Sequence, residues 1–560
     1  MAPVRVVMMV ALACALGLVS CTKRQPSAPV SARVPAEPSP PAAELPPTPT
    51  MHVRPDGDDR GDGRTPATAF RTMAAALSRA RPGDVIMLAA GAIFQDWIDI
   101  QPGKGGTAGL PLTITSDPVN RAKLVVPANR SGVTIYNAGD VTIENLILVG
   151  QSMNNPKSFG VNAMAQGGRF SRLVFRNLDV SGFFEGLQVV SWERPSDGFS
   201  NVLIEGCDLH HNLNGGGMTY APAAGGMRDF VVRHCRFHHN LGDPSEMKKP
   251  SGSGFVFGGV EDGLIEHCVA HDNGGQGPAH PGPVGIWAYH SKRVTIQHCE
   301  SYRNRAQQMD GDGFDFDMGV TDSVIQYCYS HDNHGAGYLL YQSGAEAWSN
   351  NVVRYNVSEN DASGSPRRMA AITLSSLAGP VGLRDASVYG NTVYTSVGAA
   401  FLAPWEPNAS GLRVFNNIIV TTNNHPLVWS WNKTPAGITR FQGNLYWASG
   451  GTVDVEGFSS LDAWRQATGQ EMLAGDPVGL LADPHLTPAG GGGTVGRPNR
   501  LASLGAYRLQ AGSPAIDAGL DPARVLRARC DHDFFGLPVP TGAGYDIGAH
   551  EAGPPREPPP

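Results

Sequence analysis

From about residue 140 onward, apolar side chains recur at every second position in short runs that all close in the same way. VTIENL, LVFRNL, VLIEGC, FVVRHC, LIEHC, VTIQHC, SVIQYC, NVVRYN, SVYGN, LRVFNN and RFQGN follow one another. Aligned on their Asn or Cys they give Asn145, Asn177, Cys207, Cys235, Cys268, Cys299, Cys328, Asn356, Asn391, Asn417 and Asn444, spaced 26 to 35 residues apart. A period of two over three to five residues predicts a strand. After each Asn or Cys comes a second short strand and then a Gly-rich turn. Helical repeats of similar length would show a period of 3.6, which is missing. The units are therefore predicted to be coils of a parallel β solenoid, about eleven in number.

A second mark keeps step with the first. Asn212, Asn240, Asn273, Asn304 and Asn333 each lie five residues beyond a Cys. Coils stacked at about 4.8 Å place equivalent residues in contact, and side-chain amides can then hydrogen-bond along the stack. These asparagine ladders resemble those of the right-handed parallel β-helix of the pectate lyase superfamily. The resemblance implies an all-β, right-handed parallel β-helix over residues 51–450, with an N-terminal cap. Within that cap Thr72 is positioned as the N-cap of an Ala/Leu-rich helix that Pro82-Gly83 stops. Residues 451–560 read as a C-terminal capping segment. Their SPAIDAG (Ser513 to Gly519) and YDIGAHE (Tyr545 to Glu551) resemble a segment of exported bacterial β-helix proteins. Ser513, Asp517, Asp546 and His550 in it are read as structural.

Composition narrows the class of protein. The chain has 560 residues, a formal charge of −7, 17% charged residues, 69 Gly and 44 Pro. So little charge excludes a highly charged disordered chain, and the lack of a basic excess argues against a nucleic-acid partner. Residues 1–20 read as a signal peptide, with Arg5 before an apolar run. Leu18-Val19-Ser20-Cys21 resembles a bacterial lipobox, which implies lipidation of Cys21 and a membrane anchor. Thr22 in the next position implies the outer membrane. Residues 21–50 form a Pro-rich tether. Of the eight cysteines, Cys14 leaves with the signal, Cys21 carries lipid, five stack internally and Cys530 stands apart. The stack lies within disulfide range, and free thiols packed as small apolar groups are its expected state.

Candidate chemistry sits where the strands face outward. Glycines introduce the strand segments GVNA, GLQV, GMTY, GFVF, GIWA, GFDF and GYLL. Alternation then turns Phe314 and Phe316 inward and their neighbours outward. The outward residues, coil by coil, are Asn162, Gln188, Thr219, Val256, Trp287 with Tyr289, Asp315 with Asp317, Leu339 with Tyr341, and Thr373. Two carboxylates thus lie on an outer face between aromatic rings suited to stacking on sugars, Trp287, Tyr289 and Tyr341. Asp is unfavourable in strands, yet DGDGFDFD gathers Asp310, Asp312, Asp315 and Asp317.

Two chemistries compete for that site. In the first, the four aspartates hold calcium, a hard cation that takes oxygen ligands. A base, Lys292 or Arg293, then drives β-elimination on a uronate polymer, as the resemblance to calcium-dependent pectate lyases implies. In the second, Asp315 and Asp317 are the acid and base of a glycoside hydrolase. His210, His238, His271 and His331 form a further ladder, read as repeat-derived turn residues, with His331 as an additional proton-transfer candidate. Lys248 and Lys249 lie in a long loop expected to wall the site. The expectation is a monomeric envelope lipoprotein acting on polysaccharide, foremost as a lyase. Its rival is a non-catalytic glycan-binding or adhesin-like surface protein.

Overall fold

The computed structural model describes residues 48–553, apart from 277–281, 308, 365–368, 378, 405, 433–436 and 527–529. The signal peptide, Cys14, Cys21 and nearly all of the tether lie outside the described residues. Among the described residues no helix is long and apolar enough to cross a membrane.

Each coil contributes one strand to each of three parallel sheets. The first and second sheets stack 14 strands each and the third stacks 12. Inward positions form one continuous apolar core from Val53 to Trp464. The predicted helix spans Met73–Arg79, with Thr72 accepting a hydrogen bond from the Ala75 backbone N–H at 3.2 Å. Its Met73, Ala76 and Leu77 close the first coil. The last coils are closed by helix Leu461–Thr468, whose Trp464 ring meets Phe441 at 5.3 Å. The rest of the C-terminal segment runs back along the outer face of the second sheet, where Tyr507 and Phe534 pack with Tyr329. Ser513 donates to the Pro484 carbonyl, Asp546 accepts from the Asp517 backbone N–H, and His550 accepts from that of Leu509. The residues of this segment are thus held in structural bonds.

Both ladders occupy corners of the coil. At the corner between the second and third sheets, Asn240 donates to Asn273, Asn273 to Asn304 and Asn304 to Asn333, each at 2.9 Å. Asn333 donates in turn to Asp361. At the corner between the first and second sheets, the five stacked cysteines give way to Asn356, Asn391, Asn417 and Asn444, and this ladder ends on Glu471. All six described cysteines are free and buried. Burial pushes the thiols of Cys207, Cys235, Cys268 and Cys299 well up, so they stay protonated and inert.

Two register assignments are corrected. Arg176 pairs with Glu205, so Leu178, not Asn177, is the equivalent of Cys207. Asn145 and Asn177 occupy the preceding position, where the backbone is left-handed (φ 57° and 50°) and Gly206 or His234 stands in later coils. Asn suits that conformation as well as it suits a ladder, so the same letter served two sites. Likewise Gln188 pairs with Met218 and Met218 with Val256, so Met218 faces outward and Thr219 faces in. The run Gly215-Gly216-Gly217 hides which glycine opens the strand. It is Gly216, and a slip of one residue exchanges the two faces.

Candidate active site on the third sheet

The acidic strand is Asp312–Phe316 in the third sheet. Trp287 pairs with Asp315 and Asp315 with Leu339, which places the aspartate in the outward column that the alternation predicts. Phe314 and Phe316 are fully buried in the core below it. Asp312 continues the column of Val284, which packs with Trp287 and Val256 on the outer side. Asp310 closes the turn before the strand in a left-handed conformation (φ 69°). The four carboxyls therefore share one outer wall.

That wall is not bare. Asp315 is only 3% exposed and Asp312 is fully buried, whereas Asp310 and Asp317 are half-buried. Met309, Ala336, Ala362 and Met369 come over the sheet from the turns and pack with Leu339 and Tyr341. Asp312 accepts a hydrogen bond from the Ala336 backbone N–H through Oδ1. Asp317 accepts one from that of Met318 at 2.6 Å. Among the described residues, Asp312 Oδ2 and Asp315 Oδ1 are buried without a hydrogen-bond partner. An orphaned buried carboxyl oxygen is costly unless it is protonated or meets a ligand.

The electrostatics follow from this crowding. Burial pushes Asp310 up to about 6. Burial also carries Asp317 up to about 7, against the Met318 hydrogen bond and with added repulsion from Asp310. Burial and the neighbouring carboxyls drive Asp312 and Asp315 further up. Among the described residues, the charges that raise Asp315 are those of its three fellow aspartates. Near neutral pH the cluster thus holds protonated and ionised carboxyls side by side.

The structure separates other candidates from this group. Lys292 lies at the start of a first-sheet strand, with Nζ 3.6 Å from Asp322. Arg293 is bound by Glu261 and Asp262, each at 2.7 Å. His331 is buried on the second sheet, 3.3 Å from Glu300 and 2.9 Å from Asp332. Burial opposes its protonation, but those two carboxylates outweigh it and push its pKa up to about 9. Neither base candidate nor His331 adjoins the aspartates. Trp287 is also corrected as a platform: it is 7% exposed, and its indole N–H donates to Ser253 Oγ at 3.1 Å. Tyr289 stacks on it at 5.2 Å, and burial raises the Tyr289 phenol. Tyr341 remains beside the acids, its phenol pushed up to about 12 by burial and by Asp317.

As metal ligands, the four aspartates offer the right kind of donor. However, among the described residues they do not bring three ligand atoms within 4.8 Å of one another. They do not make a ready calcium cage.

The structure adds three residues that sequence reasoning missed. Trp192 is 54% exposed and stacks on Tyr220 at 4.3 Å. Trp431 is 56% exposed and packs edge-on against Trp429 at 4.7 Å. Trp429 ends the column of Asp315, Leu339, Thr373 and Leu402. The two exposed indoles thus lie four coils to either side of the acids, about 19 Å away at about 4.8 Å per coil. Glu185 is the third. It is 2% exposed, hydrogen-bonded to Asn214 at 2.6 Å, and pushed up to about 7 by burial. The WERPSDG insertion after Ser191 and the WSW run were the available signals for the indoles; nothing local marked Glu185 as buried.

No curated protein matches the chain in sequence. Among solved structures, the GH136 lacto-N-biosidase from Eubacterium ramulus is similar at 17% identity and TM-score 0.48, covering 72% of this chain and 68% of that one. Pectate lyase Pel9A is similar at 15% identity and TM-score 0.36, covering 90% and 96%. A PL6 family alginate lyase is similar at 13% identity and TM-score 0.45, covering 74% and 53%. Residues 243–393, which hold the acidic strand and its neighbouring coils, match the family model described as "Right handed beta helix region", and the fold is that of a right-handed parallel β-helix.

Proposed function

We propose that this protein cleaves glycosidic bonds in a polysaccharide laid along the outer face of the third sheet. Asp315 acts as the general acid, and Asp317 is the base that activates water. The observation that carries this reading is the outward group of four carboxyls, two of whose buried oxygens have no hydrogen-bond partner among the described residues. Residues two apart on a strand are about 6.6 Å apart, at the lower edge of the roughly 6.5–9.5 Å carboxyl separation of inverting glycosidases. A proton held on Asp315 at neutral pH is available to the leaving oxygen, while Asp317 ionises near neutrality.

Calcium-assisted β-elimination on a uronate polymer is the second reading, favoured by those same two bare oxygens. It requires a cation to recruit the carboxyls and a base other than Lys292. Lipid anchoring at Cys21 and an outer-membrane location belong to the same proposal, since they would set the enzyme against envelope or external glycans.

The test is a panel of neutral and uronate polysaccharides, with and without a chelator. New reducing ends without an unsaturated product, unaffected by chelation, are expected. Asp315→Asn and Asp317→Asn should each lower turnover about 10²–10⁴-fold while polymer retardation in affinity gels is retained. An unsaturated uronate product that chelation abolishes would instead establish the lyase. Binding with no product from any polymer would leave a glycan-binding module.

A further inference from the structure

The histidines on the second sheet form two columns, not one. Strands Asp208–His210, Arg236–His238 and Val269–His271 put His210, His238 and His271 in register. Their rings stack at 4.9 Å in both steps, within 6° of parallel. The next residue in each coil, His211, His239 or Asp272, adopts a left-handed backbone (φ 52°, 53° and 53°). That turn swings its side chain alongside the first column. His211 and His239 stack at 5.0 Å.

The ring nitrogens are oriented as well as stacked. His210 Nε2 lies 3.2 Å from Asp179, and His238 Nε2 lies 2.8 Å from Asp208. A carboxylate on Nε2 favours the proton there and turns Nδ1 toward the second column as an acceptor. Those Nδ1 atoms face the Nδ1 atoms of His211 and His239 at 2.7 and 2.9 Å. One coil further, His271 Nδ1 is 2.8 Å from Asp272, which Arg303 also holds at 2.7 Å. Ligand atoms of His239, His271 and Asp272 all lie within 4.8 Å of one another.

We propose that this imidazole ladder binds a divalent transition-metal ion of borderline softness, zinc foremost, between His239, His271 and Asp272. Two imidazole nitrogens and one carboxylate oxygen are a donor set that zinc takes more readily than calcium does. The site is on a different sheet from the acidic cluster and stands independently of the glycan reading.

The test is a calorimetric titration of tag-free, chelator-stripped full chain with zinc chloride near neutral pH. One ion per chain is expected, with micromolar or tighter affinity. His239→Ala, which removes one ligand, should weaken it by more than about tenfold. Circular dichroism of the variant should match the parent, since the side chain is on the surface of the second sheet. The cobalt(II) form should show the intense visible absorption of a four-coordinate nitrogen and oxygen site. Absence of saturable zinc binding by the parent chain would overturn the proposal, as would undiminished affinity in His239→Ala.

Discussion

Asp361 ends the asparagine ladder as a fully buried carboxyl, and replacing it with Asn is expected to change how stability depends on pH. Its Oδ1 accepts from the Asn333 backbone N–H at 3.0 Å and from Asn333 Nδ2 at 2.9 Å, while Oδ2 accepts from Ser358 Oγ at 2.6 Å. Burial pushes the group from 3.8 up to about 7, against these three hydrogen bonds and the nearby His331. A carboxyl whose folded pKa is raised gives its full stability below the unfolded value and loses it as pH rises through the folded one. Between those limits the folded state holds a proton that the unfolded state has released. Moving a pKa from 3.8 to about 7 corresponds to about 4 kcal/mol lost over that interval, of which about 3 kcal/mol falls between about pH 5 and pH 8. Asp361→Asn keeps the shape and both Oδ1 bonds but cannot ionise. It should therefore match the parent to within about 1 kcal/mol at about pH 5, the worth of one rearranged hydrogen bond to Ser358. At about pH 8 it should be more stable by about 3 kcal/mol. Urea unfolding followed by tryptophan fluorescence, with Trp348 and Trp464 fully buried as reporters, measures both differences. A gap that is the same at the two pH values would refute the reasoning, because ionisation of Asp361 would then play no part.

The exposed indoles give an independent check on the groove. Trp192→Ala and Trp431→Ala should each weaken binding of long glycans by about 0.5–1.5 kcal/mol, while fragments of two or three sugars, too short to reach about 19 Å from the acids, should bind as before; affinity electrophoresis with polymer and oligomer compares the two. Gly254 opens a third-sheet strand at a corner where an added Cβ would collide with the Gly285 carbonyl and press on Phe237 Cβ at 3.1 Å. Gly254→Ala should therefore destabilise by about 1–3 kcal/mol through overpacking, read as a lower urea midpoint with unchanged far-ultraviolet circular dichroism.

Much of the architecture was legible because a solenoid makes long-range structure out of local periodicity. The VLIEGC-type runs gave the strands of the first sheet, and the five-residue offset from Cys207 to Asn212 gave the neighbouring corner. Simple alternation put Asp315 outside and Phe314 inside. The reading slipped where one residue type satisfies two demands, as at Asn177 and within Gly215-Gly216-Gly217. In each case local pattern leaves the register free by one residue, and only pairing with the next coil fixes it.

The candidate site was legible in part. DGDGFDFD marked the right strand, but burial of an outward residue depends on turns of variable length that fold back over the sheet. That is why Met309 and Met369 cover the acids, why Trp287 is enclosed, and why Lys292 and His331 lie on other sheets despite their nearness in sequence. Trp192 and Trp431, 239 residues apart in the numbering of the chain, share a face with Asp315 only because coils stack in register. The sequence by itself determined the repeat, the inward core and the side on which the acidic pair stands, since these follow from backbone periods of two and from ladders that tolerate few residue types. Tertiary structure decided which carboxyls are desolvated, which rings stay exposed and which imidazoles meet, because desolvation and side-chain proximity depend on neighbours contributed by other coils.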